Sequence, residues 1–167
     1  MGLRKAKSIK HKEKALTEIL AAHERFFRGQ EGGLRADLAG ADLSHADLSG
    51  LNLSGADLSG ANLRKADLRN TDMTEAILPG ADLSEAQASG VEFFRCDLSN
   101  VNFQGALLRN VNLRAANVRG AKFTGADLGV AILRETDLTG ADLSGVDLST
   151  TLLPKNFSAQ PHKQHGA

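Results

Sequence analysis

The chain has no tryptophan, no tyrosine and one cysteine, and its 7 phenylalanines bring aromatics to only 4% of 167 residues. So few rings cannot fill an ordinary globular core, which points to an interior made from one small unit used many times. Cys96 has no second thiol with which to form an internal disulfide or a thiolate metal site, so nothing argues for an oxidising compartment. Long apolar runs are missing too. Near the start the longest is Ile19-Leu20-Ala21-Ala22, so neither a membrane span nor a secretory signal peptide is expected, and a cytoplasmic location is.

What the chain does have is a period. Stepping by five from Leu38 reaches Leu43, Leu48, Leu53 and so on to Leu153 without a miss, and of these 24 positions 18 are Leu and three are Phe (Phe93, Phe103, Phe123). Met73, Ala88 and Val118 complete the set. Two residues before each of these centres stands Ala in 15 cases, and Val, Thr, Leu51 or Cys96 in the others. Between the two lies a mostly polar residue such as Asp37, Asn52 or Asp67. After the centre come Ser, Thr or Arg, and then frequently Gly.

On an α-helix five residues advance a side chain by about 500°, so the leucines would precess around the cylinder instead of forming a stripe. In a short extended segment, residues two apart share a face, which turns both apolar residues inward and the polar one outward. Gly40, Gly50, Gly60, Gly120 and their equivalents then permit the positive φ of a corner. Three extended residues span roughly 10 Å, and facing sheets pack about 10 Å apart, which suits a four-sided coil of four units. A three-sided coil leaves no room for inward Leu, and a five-sided one leaves a void. Coils stacked about 4.8 Å apart make six coils a rod on the order of 25 to 30 Å long.

From Ala36 to Lys155 these units closely resemble the pentapeptide-repeat family. The resemblance implies an all-β solenoid, a right-handed quadrilateral β-helix of about six coils. It also implies a range of roles: the family includes quinolone-resistance proteins that bind DNA gyrase as mimics of DNA, secreted effectors, and many cyanobacterial and plastid proteins. Fold alone does not choose among these.

Both ends of such a rod expose core and strand edges, which calls for covers. Leu16, Ile19, Leu20, His23, Phe26 and Phe27 recur at helical spacing until Gly29 and Gly32-Gly33, so residues 9–28 are expected to form a capping helix. Ahead of it Arg4, Lys5, Lys7, Lys10, Lys12 and Lys14 read as a solvated, partly disordered basic arm, with nucleic acid or an anionic membrane as the alternative contact. The expected division is 1–35 for arm and cap, 36–155 for the repeats and 156–167 for a polar tail. At the other end Ile132 and Leu152 stack where Asp or Asn usually stands, with Phe157 close in sequence. That apolar spot reads either as a homodimer contact, as in family members that dimerise through their C-terminal ends, or as the seat of the tail.

No catalytic constellation emerges, and neither an enzyme nor a cofactor is expected. His45 occupies a corner, Cys96 takes an inward position in place of Ala, and the tail pair His162 and His165 lacks a third metal ligand. Charge is the feature that bears on function. Residues 36–155 carry 12 Asp and 4 Glu against 10 Lys and Arg, whereas residues 1–35 hold 9 basic and 4 acidic groups. B-DNA presents one charge per about 1.7 Å, so faithful mimicry over this length needs roughly 16 uncompensated negatives, more than twice what the rod has. The gyrase-protecting members often carry loops that interrupt the coils, and this chain carries none. The leading expectation is therefore a non-catalytic scaffold that binds a protein partner, the alternative being a DNA mimic that binds gyrase or another topoisomerase. Direct nucleic-acid binding by the rod is not expected. One outer column offers a candidate interaction face: Ser54, Thr74, Phe94, Arg114, Arg134 and Pro154 line up one coil apart, and Arg114 is expected over the Phe94 ring.

The register is open to a direct check. Leu98→Asp places an unpaired carboxylate inside and is expected to unfold or split the rod, while Asp97→Lys on the outside changes the melting temperature little. Equal melting temperatures for the two variants refute the assignment of inward and outward positions.

Overall fold

The structure, a computed structural model, describes residues 2–157. Parallel bridges join outward positions twenty residues apart, from Asp37 with Asp57 to Ile132 with Leu152, so four pentapeptides close one coil of a repeat β-helix. Each contact is a pair of backbone bonds: the Leu38 N–H donates to the Asp57 carbonyl (2.7 Å) and the Asp57 N–H to the Ala36 carbonyl (3.0 Å), and the pattern recurs up the rod. At the corners the Ala41 N–H donates to the Leu38 carbonyl at 3.0 Å, and Gly40 takes φ +67°. That is the arrangement of a type II turn. Glycine is only one occupant of this corner, since His45, Glu85 and even β-branched Val130 adopt φ between +56° and +59° there. Coil stacking imposes the corner, whatever side chain stands on it.

The interior is the column set read from the period. Leu38 to Leu133 at the centres and, apart from the half-buried Leu51, Ala36 to Ala131 two residues earlier are buried. Where an inward residue is polar, it finds one recurring acceptor. The Thr71 hydroxyl donates to the Leu48 carbonyl (3.0 Å), Thr136 to Leu113 (2.7 Å) and Thr151 to Leu128 (3.0 Å). The Cys96 thiol does the same toward Met73 (2.8 Å). Phe93 and Phe103 lie two units apart, hence on opposite sides of the coil, and their rings meet edge to face with centroids 5.9 Å apart. Phe103 stacks on Phe123 one coil on at 5.0 Å. Ala88 is a small, buried centre on the side of the coil between those of Phe93 and Phe103.

The outward polar residue has a structural task beyond facing water. All seventeen Asp and Asn at this position accept, through Oδ1, the backbone N–H two residues ahead, closing an Asx turn at every such corner. Asn adds a rung between coils: Asn62, Asn102 and Asn117 donate their side-chain amides to Asp42, Asp82 and Asp97. Asp97 therefore accepts two hydrogen bonds, and Asp97→Lys carries a cost of about 1 kcal/mol that a purely solvent-facing residue does not.

The N-terminal end differs from expectation in two respects. Lys12 and Glu13 both take positive φ (47° and 64°), which makes a two-residue hairpin turn between strands β1 (Lys10–His11) and β2 (Lys14–Ala15). Helix α1 consequently begins only at Leu16 and runs to Phe27. It ends in a Schellman motif, with Gly29 at φ +61° and the Gln30 N–H donating to the Arg25 carbonyl. Gly33 packs against it so closely that a Cβ there would lie 2.5 Å from the Phe26 nitrogen.

The basic arm is docked on the rod. Arg4 pairs with Ala46 as an added strand position, its N–H donating to the His45 carbonyl and its carbonyl accepting from Asp47, while its guanidinium reaches Asp42 at 3.1 Å. Lys12 pairs with Asp37. The acidic first coil thus opposes the arm and orders it. The helix turns most of the expected stripe inward, Leu16 and His23 being buried together with Ile9 and with Ile19 and Leu20 packed against the core, whereas Phe26 and Phe27 lie edge to face on the surface. His23 Nδ1 accepts the Ala36 N–H at 3.0 Å, joining the cap to the first unit, and its buried Nε2 has no partner among the described residues.

At the opposite end the last centres, Leu138, Leu143, Leu148 and Leu153, are only half buried, and their N–H groups have no acceptor among the described residues.

Two outcomes follow. Ala88→Leu adds volume where the Phe93 and Phe103 rings already meet, so thermal denaturation is expected to show a loss of about 1 to 3 kcal/mol; a gain reveals an unfilled cavity instead. For His23, burial first and the Arg35 charge second push the pKa below the usual histidine value. Unfolding releases that constraint, so the stabilisation is complete above about pH 6.5 and falls away as pH drops below it. Denaturant titrations between pH 7.5 and 5 are expected to show this loss in the parent chain and to lack it in His23→Asn, whose Oδ1 still accepts the Ala36 N–H; an identical slope in both refutes the role.

Candidate interaction face

Five of the six residues singled out at the C-terminal half share one face, and a groove of about 350 Å³ joins two sets that the sequence presented separately. Asn112, Arg114, Ile132, Arg134, Glu135 and Leu152 line it. The register explains the meeting: Asn112 bridges to Ile132 and Ile132 to Leu152, so these three form a ladder beside the column of Phe94, Arg114 and Arg134. Ile132 is half buried and Leu152 is 45% exposed. Phe157, half buried, follows a turn in which its N–H donates to the Pro154 carbonyl, but it does not line the groove. The tail with His162 and His165 lies outside the described residues.

The aromatic contact differs from expectation. Arg95, the next residue in the chain, places its guanidinium carbon 4.9 Å from the centroid of the half-buried Phe94 ring. Arg114 turns away to Glu135, with Nη2 at 3.1 and 3.4 Å from its two oxygens. Asn112 anchors the side below, donating to Glu92 at 2.8 Å. Arg134 alone in this column carries a charge with no partner: among the described residues its guanidinium makes no ion pair or hydrogen bond.

Ile132 leaves a second vacancy. Having no side-chain acceptor, it cannot close the Asx turn, and the Arg134 N–H has no acceptor among the described residues. Ile77 and Leu152 are the same kind of exception, yet Pro79 and Pro154 stand two residues on and have no N–H to satisfy. Leu107, 48% exposed and followed by Arg109, repeats the unsatisfied case on another side. The N–H groups of Ser89, Phe94 and Thr124, two residues after Gln87, Glu92 and Lys122, also have no acceptor among the described residues, so the signal present in the sequence is an outward residue other than Asp or Asn with no Pro two residues on.

Acidity is less informative here than composition suggested, because the carboxylates are engaged locally. Arg69 grips the buried Asp67 at 2.6 and 2.9 Å and holds its pKa below the usual carboxylate range. Asp127 is lowered by the Gly129 N–H and then by Arg109, and Asp137 by Thr139 and then by Arg119. Burial pushes the Cys96 thiol up to about 12, which removes it as a nucleophile at neutral pH. Among the described residues no three His, Cys, Asp or Glu side chains are grouped as a metal site needs, and no helix is long and apolar enough to cross a membrane.

A family model for pentapeptide repeats matches in 8 copies over residues 36–74, 56–93, 69–105, 92–129 and 130–153. The chain belongs to the pentapeptide-repeat family. Similar solved structures include the pentapeptide repeat protein Rfr23 of the cyanobacterium Cyanothece 51142 (34% identity, 58% of this chain and 63% of that one, TM-score 0.41). A pentapeptide repeat protein of the Arabidopsis thaliana thylakoid lumen matches at 31% identity over 55% of this chain and 68% of its own, with TM-score 0.46. The plasmid-mediated fluoroquinolone resistance protein QnrB1 matches at 24% identity over 73% and 79%, with TM-score 0.35. The match thus spans less than two thirds of the Cyanothece relative. No curated protein matches the chain.

Proposed function

We infer that this pentapeptide-repeat protein is a non-catalytic scaffold, a right-handed four-sided rod that acts by binding another protein through the face around Phe94, Arg114, Arg134, Ile132 and Leu152. One observation carries this reading: the stacking register gathers a guanidinium unpaired among the described residues and two aliphatic side chains around one groove, with an arginine-capped ring farther along the same column. Aromatic and arginine side chains beside apolar surface are the usual anchors of protein interfaces. Rigid backing favours binding as well, since bridged coils leave little conformational entropy to be lost on association.

The alternative, a DNA mimic directed at gyrase, rests on acidic first and last coils, which hold Asp137, Asp142 and Asp147 at one end and Asp37, Asp42 and Asp47 at the other. In the structure Arg4 opposes Asp42 there and Lys12 opposes Asp37. Farther along, Asp127 and Asp137 are paired with Arg109 and Arg119. What remains is too interrupted to imitate a phosphate backbone.

The test is the double variant Phe94→Ala with Arg114→Ala, both partners lying on the outer surface. Its melting temperature is expected to stay close to that of the parent, and its affinity for the partners retained from the native cell extract to fall by about 2 kcal/mol, near thirty-fold. Recovery of the same partners at the same salt resistance rules the face out. A gyrase supercoiling assay runs beside it; inhibition or protection at stoichiometric protein moves the assignment to the DNA-mimic reading.

A further inference from the structure

We propose that the groove between Ile132, Arg134 and Leu152 is a docking site for an acidic–aliphatic peptide segment of a partner protein, in which a Leu, Ile or Val side chain stands beside an Asp or Glu. The proposal rests on the protein-binding reading above and adds the chemistry of the partner.

Three observations converge on that chemistry. The floor is aliphatic: Ile132 and Leu152 stack one coil apart where the other units carry mostly Asp or Asn, and Leu152 is 45% exposed. A partner's aliphatic side chain laid on them removes apolar surface from water on both sides. Beside the floor stands the Arg134 guanidinium, unpaired among the described residues, while Arg114 is already held by Glu135. The two arginines and one glutamate leave the groove with a net positive charge. Third, the Arg134 N–H lacks the acceptor that Asp or Asn supplies to the equivalent N–H at seventeen other corners, Asp137 to Thr139 among them. A carboxylate from outside, received by the guanidinium and this N–H, restores the missing Asx acceptor in trans. Cation, N–H and aliphatic floor select a carboxylate adjoining an apolar residue, and they disfavour a basic or purely polar segment.

Panning the purified full chain against a random twelve-residue peptide phage library tests this. Recovered peptides are expected to pair Asp or Glu with Leu, Ile or Val within two positions. Arg134→Glu and Ile132→Asp should each weaken them at least ten-fold, with circular dichroism and melting unchanged for Arg134→Glu. Replacing the peptide's acidic residue by Lys should recover binding to Arg134→Glu alone. Peptides that lack an acidic residue, or that bind Arg134→Glu as tightly as the parent, overturn the proposal. If such peptides still depend on Phe94 and Arg114, the protein-binding reading of the face stands without it. If no peptide is recovered whose binding depends on any of Phe94, Arg114, Ile132 or Arg134, both fail. Sedimentation of the chain alone supplies the remaining outcome: a dimer dissolved by Leu152→Asp assigns the groove to a second copy and refutes the proposal.

Discussion

The backbone N–H two residues after each outward position needs an acceptor, and most of this molecule's surface follows from how that need is met. Coil-to-coil bonds engage the amides of the straight segments, and a corner bond engages the first residue of the next unit. The amide at the start of the corner is left over. Asp and Asn supply its partner from their own side chains, which explains why one of the two recurs at most outward positions. Where Pro follows, the need disappears. Where any other residue stands without a following Pro, as at Gln87, Glu92, Leu107, Lys122 and Ile132, the corner N–H has no acceptor among the described residues, and beside the aliphatic Leu107 and Ile132 it is open to one from outside.

This changes the meaning of the charge. The repeats carry more acid than base because corner closure selects Asp and Asn, and Asp happens to be charged. Net charge is then a by-product of local geometry, and long basic side chains drawn from neighbouring units neutralise much of it. A functional signal is better sought in departures from the corner rule than in the sum of charges.

The core was legible in the sequence almost residue by residue, because inward positions obey a strict period and nothing competes with burial for Leu and Ala. Closure in four units followed from the width that two facing Leu require. Legibility failed for long, flexible side chains. Arg114 stands one coil from Phe94, as the register demands, yet an arginine reaches well beyond one coil spacing, and Glu135 offered it a charged partner while Arg95 took the ring. It failed again at the N-terminus, where a non-repeating segment has no period to read. Helical spacing put His23 on the packed stripe but could not foresee its bond from the Ala36 N–H, the exposure of Phe26 and Phe27, or that Lys12 and Glu13 would turn the chain back and delay the helix. The acidic coil that orders the arm lies more than twenty residues downstream of it, a relation that only the folded rod reveals.

The two ends of the rod are unequal. One is sealed by an added strand position, a buried helix face and ion pairs, whereas the last described coil presents half-buried leucines and vacant N–H groups. In a stack where each layer rests chiefly on the layers next to it, cohesion is set by the nearest support. Among the described residues, breathing will therefore start at the last coil and travel inward layer by layer, and amide exchange will grade along the axis. The candidate groove lies within that looser region, between the penultimate and last layers, so a bound segment that bridges Ile132 to Leu152 acts as a clasp across the rod's weakest seam.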